Sequence, residues 1–218
     1  MTPAADRAKP AGRRPHGRAA LCFAALLILS GCAALTPAPP PEGPSPDSLR
    51  ARAVVELSNG VATRGRAVIL ASRPDRFRIE VFGPLGQSAA LMVSDGETLA
   101  VYSDGEVRTH LWDSPFFPYS FTAEEVVALL TGDRAVWGED GPYRVSTGAG
   151  GGAVEIVKLR EGPTPAMRAS MGSWREVDGA VVPGVVEIYE GTQALRITYR
   201  DVEISPNLPE GAFEAASP

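Results

Sequence analysis

The chain is dominated by short stretches in which apolar and polar residues alternate, each closed by a turn signal. Such alternation puts successive side chains on opposite faces of a strand. Residues 75–82 show it cleanly, with Phe77, Ile79 and Val81 on one face and Arg76, Arg78 and Glu80 on the other. Similar patterns predict strands at 50–58, 63–71, 87–94, 97–103 and 106–112. Asn59-Gly60, Asp95-Gly96 and Asp104-Gly105 supply hairpin turns between them. In 87–94 the expected inward row is Ala89, Leu91 and Val93; in 97–103 it is Leu99 and Val101.

After Trp112 the pattern changes. Residues 113–119 are an aromatic loop broken by proline, holding Phe116, Phe117 and Tyr119. Thr122 and Glu125 then have capping-box spacing, and Val126, Val127, Leu129 and Leu130 form a helical stripe ending at Gly132. Strands resume at 143–147, 153–160, 166–176, 181–190 and 194–203. Leu195, Ile197 and Tyr199 share a face while Val202 and Ile204 fall out of phase, which predicts a bulge near Arg200-Asp201. Ten or eleven strands with one helix predict a mainly β fold. The expected architecture is a large antiparallel curled sheet, an unclosed half-barrel, with a small helical lid.

The pattern of the first 48 residues is different. A basic stretch ends at Arg18, an apolar run covers residues 19–29, and Leu29-Ser30-Gly31-Cys32 follows. Eleven residues span about 16 Å as a helix, short of the ~30 Å needed to cross a bilayer. The stretch therefore reads as a signal-peptide core, and the four residues after it resemble a bacterial lipobox in which the Cys32 thiol receives lipid. Residues 1–31 are the expected signal peptide, and residues 32–48 a lipidated cysteine plus tether, with prolines at 37, 39, 40, 41, 44 and 46. Fully extended as polyproline II, residues 33–48 would reach about 50 Å. The folded domain is expected over 49–213, leaving 214–218 as a tail.

Charge narrows the partners. Removing residues 1–31, with five basic groups and one acid, leaves 16 basic and 25 acidic residues, a net −9. Such a surface does not suit nucleic acid. Cys22 falls in the expected signal peptide, so Cys32 would be the one mature cysteine and no internal disulfide could form. His110 is the one histidine after residue 31, no nucleophile elbow is present, and Glu124-Glu125 sit where helix capping accounts for them. The glycine run at 148–152 has no Lys-Ser/Thr ending, so it is a hairpin tip and not a phosphate cradle. No metal-ligand spacing occurs. The protein is expected to be no enzyme, and to need no cofactor beyond covalent lipid on Cys32.

Three stretches carry a family resemblance: Gly65-Arg-Ala-Val-Ile with Asp75-Arg-Phe-Arg-Ile-Glu-Val-Phe-Gly-Pro-Leu-Gly86; Leu91-Met-Val-Ser-Asp-Gly-Glu-Thr-Leu-Ala-Val-Tyr102; and Leu195-Arg-Ile-Thr-Tyr-Arg-Asp-Val with Pro206-Asn-Leu-Pro. In this order, after a lipobox, they resemble the LolB family of outer-membrane lipoprotein receptors and the wider LolA/LolB-like lipoprotein-sorting superfamily. The family has an unclosed β-barrel under a helical lid, with an apolar hollow for the acyl chains of another lipoprotein. The resemblance implies a monomer in the outer membrane, lipid-anchored and facing the periplasm. It would take acylated lipoprotein from a periplasmic carrier and insert it into the membrane. Ala33 and Ala34 after the cysteine, with no Asp, agree with that address. Pro84, Leu85 and Gly86 match the family's membrane-insertion loop; a leucine folded back on the sheet edge is the alternative.

For an acyl-binding wall the alternating rows offer Phe77, Ile79, Val81, Leu91, Val93, Leu99, Val101, Leu195, Ile197 and Tyr199. The same rows would serve equally as the protein's own core. Candidate lid residues are Phe116, Phe117, Phe121, Val126, Val127 and Leu130, as a flap or a plug. Two other functions stay open: a general lipid- or glycolipid-binding envelope lipoprotein, and a scaffold that binds no ligand.

Overall fold

A computed structural model describes residues 39–58, 62–103, 106–111, 121–138, 141–148, 152–159 and 165–214. Cys32, Phe116, Phe117 and the turns at Asn59-Gly60 and Asp104-Gly105 lie outside them. The first six strands are β1 (Ser48–Ser58), β2 (Ala62–Ser72), β3 (Arg76–Phe82), β4 (Ser88–Ser94), β5 (Thr98–Ser103) and β6 (Glu106–Leu111). The helix α1 (Ala123–Thr131) and a single 3-10 turn (Ala135–Trp137) come next. They are followed by β7 (Tyr143–Thr147), β8 (Val154–Leu159), β9 (Pro165–Gly172), β10 (Arg175–Val177), β11 (Ala180–Val182), β12 (Val185–Glu190) and β13 (Gln193–Ile204).

Eleven of these strands form one antiparallel sheet in the order β6-β5-β4-β3-β2-β1-β13-β12-β9-β8-β7. Each half is a meander, and the two halves join where the first strand pairs with the last. The outermost strands, β6 and β7, each have one neighbour, so the sheet is unclosed. The mainly β fold with an unclosed antiparallel sheet and one short helix is therefore as the sequence predicted.

Register decides which side chains face inward. Across the middle of the sheet, Ile197, Val55 and Gly65 are level on neighbouring strands, and so are Ile69, Ile79, Met92 and Val101. The inner row of β4 is thus Ala90, Met92 and Ser94, the partners of Val81, Ile79 and Phe77. This corrects the sequence reading of Leu91 and Val93, which pair with Glu80 and Arg78 and face outward. Residues 89–93 are apolar throughout, so periodicity carries no face information there and only the cross-strand partner does. Val93 is nonetheless buried, with its outer-face neighbour Ala100.

The bulge predicted near Arg200-Asp201 is present. Arg52 pairs with Asp201 and Ala53 with Tyr199, leaving Arg200 unmatched. That one extra residue returns Val202 and Ile204 to the inner face beside Ala51 and Leu49. The predicted strands at 166–176 and 181–190 are each broken in two. Gly184 N–H donates to the carbonyls of both Gly172 and Ser173, and a Cβ on Gly184 would lie 2.4 Å from the Ser173 oxygen. This close approach, beside Pro183, pinches the chain, and β10-β11 leaves as a two-stranded sheet turned at Asp178-Gly179, both at positive φ.

A nine-residue helix is marginal in isolation, so α1 depends on its caps and its packing. Thr122 Oγ accepts from Glu125 N–H at 3.2 Å while Thr122 N–H donates to Glu125 Oε2 at 2.6 Å, the predicted capping box. Gly132, at φ +79°, closes the other end. Val127, Leu129 and Leu130 are buried against the inner face, chiefly that of β2 and β3. The Tyr199 hydroxyl donates to the Leu130 carbonyl at 2.8 Å, tying the helix to the central strand β13.

The sheet thus has two distinct ends. At the base lie the β2-β3 turn, the β4-β5 turn, the start of β1 and the β10-β11 hairpin. Residues 39–47 form no regular element but lie against this base, with Pro46 buried. At the other end, the mouth, are the β3-β4 and β12-β13 turns.

Burial holds the Tyr199 phenol well above its ordinary value of 10.0. Tyr199→Phe is expected to cost about 1 kcal/mol at pH 7 through the lost hydrogen bond, read by urea unfolding. The folded phenol resists ionisation that the unfolded one undergoes, so its contribution is fully present below pH 10 and is lost as pH rises beyond it. The Phe variant should therefore lose stability less steeply above pH 10 than the parent.

Candidate functional site

Between the base, where α1 covers the inner face, and the mouth, the sheet encloses a half-open cavity of about 350 Å³. Its walls come from β1, β2, β3, β4, β5, β12, β13 and the helix. Among the described residues, Thr63 is the one wall residue with a polar side chain. A cavity of this size and lining suits an apolar ligand and offers water little to bond to beyond Thr63.

Of the residues the sequence offered for an acyl-binding wall, Ile79, Val81, Val101, Leu195 and Ile197 border this cavity from the inner rows, and Leu91, on the outward row of β4, borders it only as the residue between Ala90 and Met92. Phe77, Leu99 and Tyr199 share the inner face but lie toward the base, sealed under α1 in the solid core. Val93 is on the outer face. Among the lid residues, Phe121, Val126 and Leu130 touch the cavity, whereas Val127 points into the core and is fully buried. Sequence reasoning missed Val55, Leu57, Gly65, Met92, Val186 and Ile188. Most of these sit in stretches the pattern had already marked as strands. What the pattern lacked was the position of α1 along the sheet, which divides each inner row into core and wall.

Gly65 has a specific role in this wall. A Cβ there would meet Val81 Cγ1 at 2.7 Å, so glycine lets the neighbouring β3 side chain lie across β2.

The lid is pinned by one polar cluster. Glu125, 2% exposed, receives the Lys158 ammonium at 2.8 Å on both oxygens and also accepts from the Tyr143 hydroxyl. Lys158 lies on the inner face of β8, opposite Tyr143 on β7, and its ammonium sits 5.9 Å from the Phe121 and Tyr143 rings. Trp137 packs edge-on against both of those rings. Desolvation and the adjoining Glu125 carboxylate hold the Tyr143 phenol well above its ordinary value. The cluster joins the start of α1 to the β7-β8 edge, while the buried apolar stripe holds its other side to β2 and β3. Glu125 is therefore more than a cap, which is all the sequence assigned to it.

Leu85, at the mouth, is 93% exposed, and Gly86 takes φ +84° to make the turn. Pro84 and Gly86 are exposed with it, so the leucine does not fold back on the sheet edge. His110 is half-buried on the inner face of the edge strand β6. Among the described residues no three His, Cys, Asp or Glu side chains gather as a metal site.

No protein-family model matches the chain, and no curated protein matches it by sequence. Solved structures do. A LolA superfamily protein from Nitrosomonas europaea superposes with a TM-score of 0.50 at 9% identity, covering 78% of this chain and 90% of that one. A DUF1329 family protein from Desulfovibrio piger gives 0.49 at 11% identity over 78% and 90%. A proposed outer membrane lipoprotein-sorting protein domain from Vibrio parahaemolyticus gives 0.47 at 12% identity over 77% and 89%. The first of these shows the architecture: the chain has the LolA-like fold.

Breaking the lid cluster should be more damaging than replacing it. Lys158→Met leaves a buried carboxylate without its counter-charge and is expected to destabilise by roughly 3 kcal/mol in denaturant unfolding. Adding Glu125→Gln, which keeps the capping geometry, should recover most of that loss.

Proposed function

We propose that this protein binds acyl chains in the trough and passes them to a membrane. The observation that carries the reading is the apolar cavity itself, open at the end where Leu85 projects. Buried methylenes gain about 0.8 kcal/mol each when water leaves, and this wall is dry enough to collect that gain. A leucine entering lipid gains about 1.5–3 kcal/mol, enough for a brief touch and too little to anchor. Anchorage falls to Cys32, as an acylated N-terminus after removal of residues 1–31. In its specific form the reading is an outer-membrane lipoprotein, facing the periplasm, that receives acylated lipoproteins from a periplasmic LolA-like carrier and inserts them. The fold shared with a LolA superfamily protein supports this. Transfer down a gradient of affinity needs no catalytic residue and no cofactor.

One observation favours a second reading, a carrier of free lipid. Taking a methylene to need about as much room as a water molecule, ~30 Å³, the 350 Å³ cavity holds about a dozen of them. That is one acyl chain of moderate length, whereas an acylated lipoprotein carries several.

A hydrophobic fluorescent probe should partition into the domain, and Met92→Trp, which fills the wall opposite Ile79, should reduce its uptake at least tenfold. Equal uptake by both would place the probe elsewhere. Leu85→Glu should leave uptake unchanged and slow release into vesicles several-fold; unchanged release would remove the loop from the pathway.

A further inference from the structure

Residues 41–47, expected from their prolines to stand off from the fold, are instead docked on its base. The Pro44 carbonyl accepts from Val181 N–H at 2.9 Å, as an extra partner along β11. Arg73 N–H donates to the Asp47 carbonyl at 2.8 Å, and Arg134 Nη2 reaches the Pro41 carbonyl at 3.4 Å. Pro46 is buried, and Gly43 lies so close to β11 that a Cβ would stand 2.5 Å from Val181 Cγ2. Prolines suit such docking because they have no N–H left to satisfy and lose little freedom when the chain is already extended.

All these contacts are at the end opposite the mouth. Arg73 is in the β2-β3 turn, Val181 is on the hairpin at the base, and Arg134 follows the C-terminus of α1. Along β2 the base-to-mouth height is about 33 Å at roughly 3.3 Å per residue. From Pro41 back to Cys32 are nine residues, which reach about 28 Å as polyproline II and no more than about 32 Å at full extension, short of that height. A docked segment therefore keeps Cys32 from drawing level with Leu85. Freed as far as Ser48, the tether has sixteen residues and about 50 Å of reach, more than the height of the domain.

We propose that residues 41–47 are a releasable strap: docked, it holds the mouth away from the membrane that anchors Cys32, and released, it lets the mouth and Leu85 reach that membrane. This rests on the reading of Cys32 as the anchor and of the mouth as the point of transfer. The strap separates receiving from delivering. In the docked state the trough faces away from the anchoring bilayer, where a donor approaches; in the released state it can turn onto the bilayer. The strap's grip is slight, three hydrogen bonds, one buried proline and an ion pair of Arg73 with the exposed Asp47 carboxylate at 3.7 Å, so release needs no disturbance of the sheet.

The geometry provides a lock. A Cβ on Gly43 would be 3.5 Å from Val181 Cβ, within the range a disulfide requires. Gly43→Cys with Val181→Cys, in the full acylated chain carrying Leu85→Trp, is reconstituted into vesicles containing brominated phosphatidylcholine. Oxidation should close the bond readily, and failure to cross-link overturns the docking. Quenching of the added indole, taken against the Leu85 parent, should be near zero when oxidised and rise at least threefold on reduction. Gly43→Val, which displaces the strap by its clash with Val181, should show the quenched level without reductant. Equal quenching in oxidised and reduced protein overturns the strap. A chain that does not sediment with vesicles at all overturns the anchor reading and the strap with it. Probe uptake by the same variants should be unchanged in every state, so a failure of the cavity reading would register separately.

Discussion

The structure depends on a shortage of filling. Eleven strands curl into one sheet whose inner face is apolar along most of its length, and among the described residues one nine-residue helix covers it. Toward the base that helix suffices: Phe77, Leu99, Leu129, Leu130 and Tyr199 close into a solid core. Toward the mouth the inner face continues beyond the helix, and the wall around Val55, Ile79, Met92 and Ile197 faces a cavity. An apolar wall exposed to water is unfavourable by an amount that scales with its area. A fold that keeps such a wall open keeps a standing preference for an apolar guest.

The polar parts of the molecule follow from the same division. Glu125, Lys158 and Tyr143 hold one side of the helix to an edge of the sheet where apolar packing alone would leave it loose. A buried ion pair of this kind adds little net stability compared with hydrocarbon, yet it fixes which residues of α1 face the trough. Both termini of the domain pass through the centre of the sheet, because β1 and β13 are neighbours. The start of β1 is at the base, so residues 39–47 meet the domain there, at the end opposite Leu85.

Much of the fold was legible in the alternation of side chains. The strand ladder, the capped helix and even the bulge beside Arg200 followed from period-two and period-3.6 patterns read against turn residues. Three things were not legible. In residues 89–93 every position is apolar, so the inner row of β4 was misassigned until register with β3 fixed it. And no local pattern told where α1 would sit along the strands, which is why Phe77 and Leu99 were grouped with Ile79 and Val101. The break at Pro183-Gly184 was similarly hidden, since it arises from contact of Gly184 with Ser173, eleven residues earlier in sequence.

The central claim is that the trough is a binding site and not a defect of packing. Mass spectrometry of the folded chain purified from a bacterial envelope, compared before and after denaturation, tests it most directly. The account predicts an acyl-bearing molecule released in near-stoichiometric amount by the parent and lost when Met92→Trp fills the wall. Release of nothing but water from a trough that stays empty when offered lipid would contradict it.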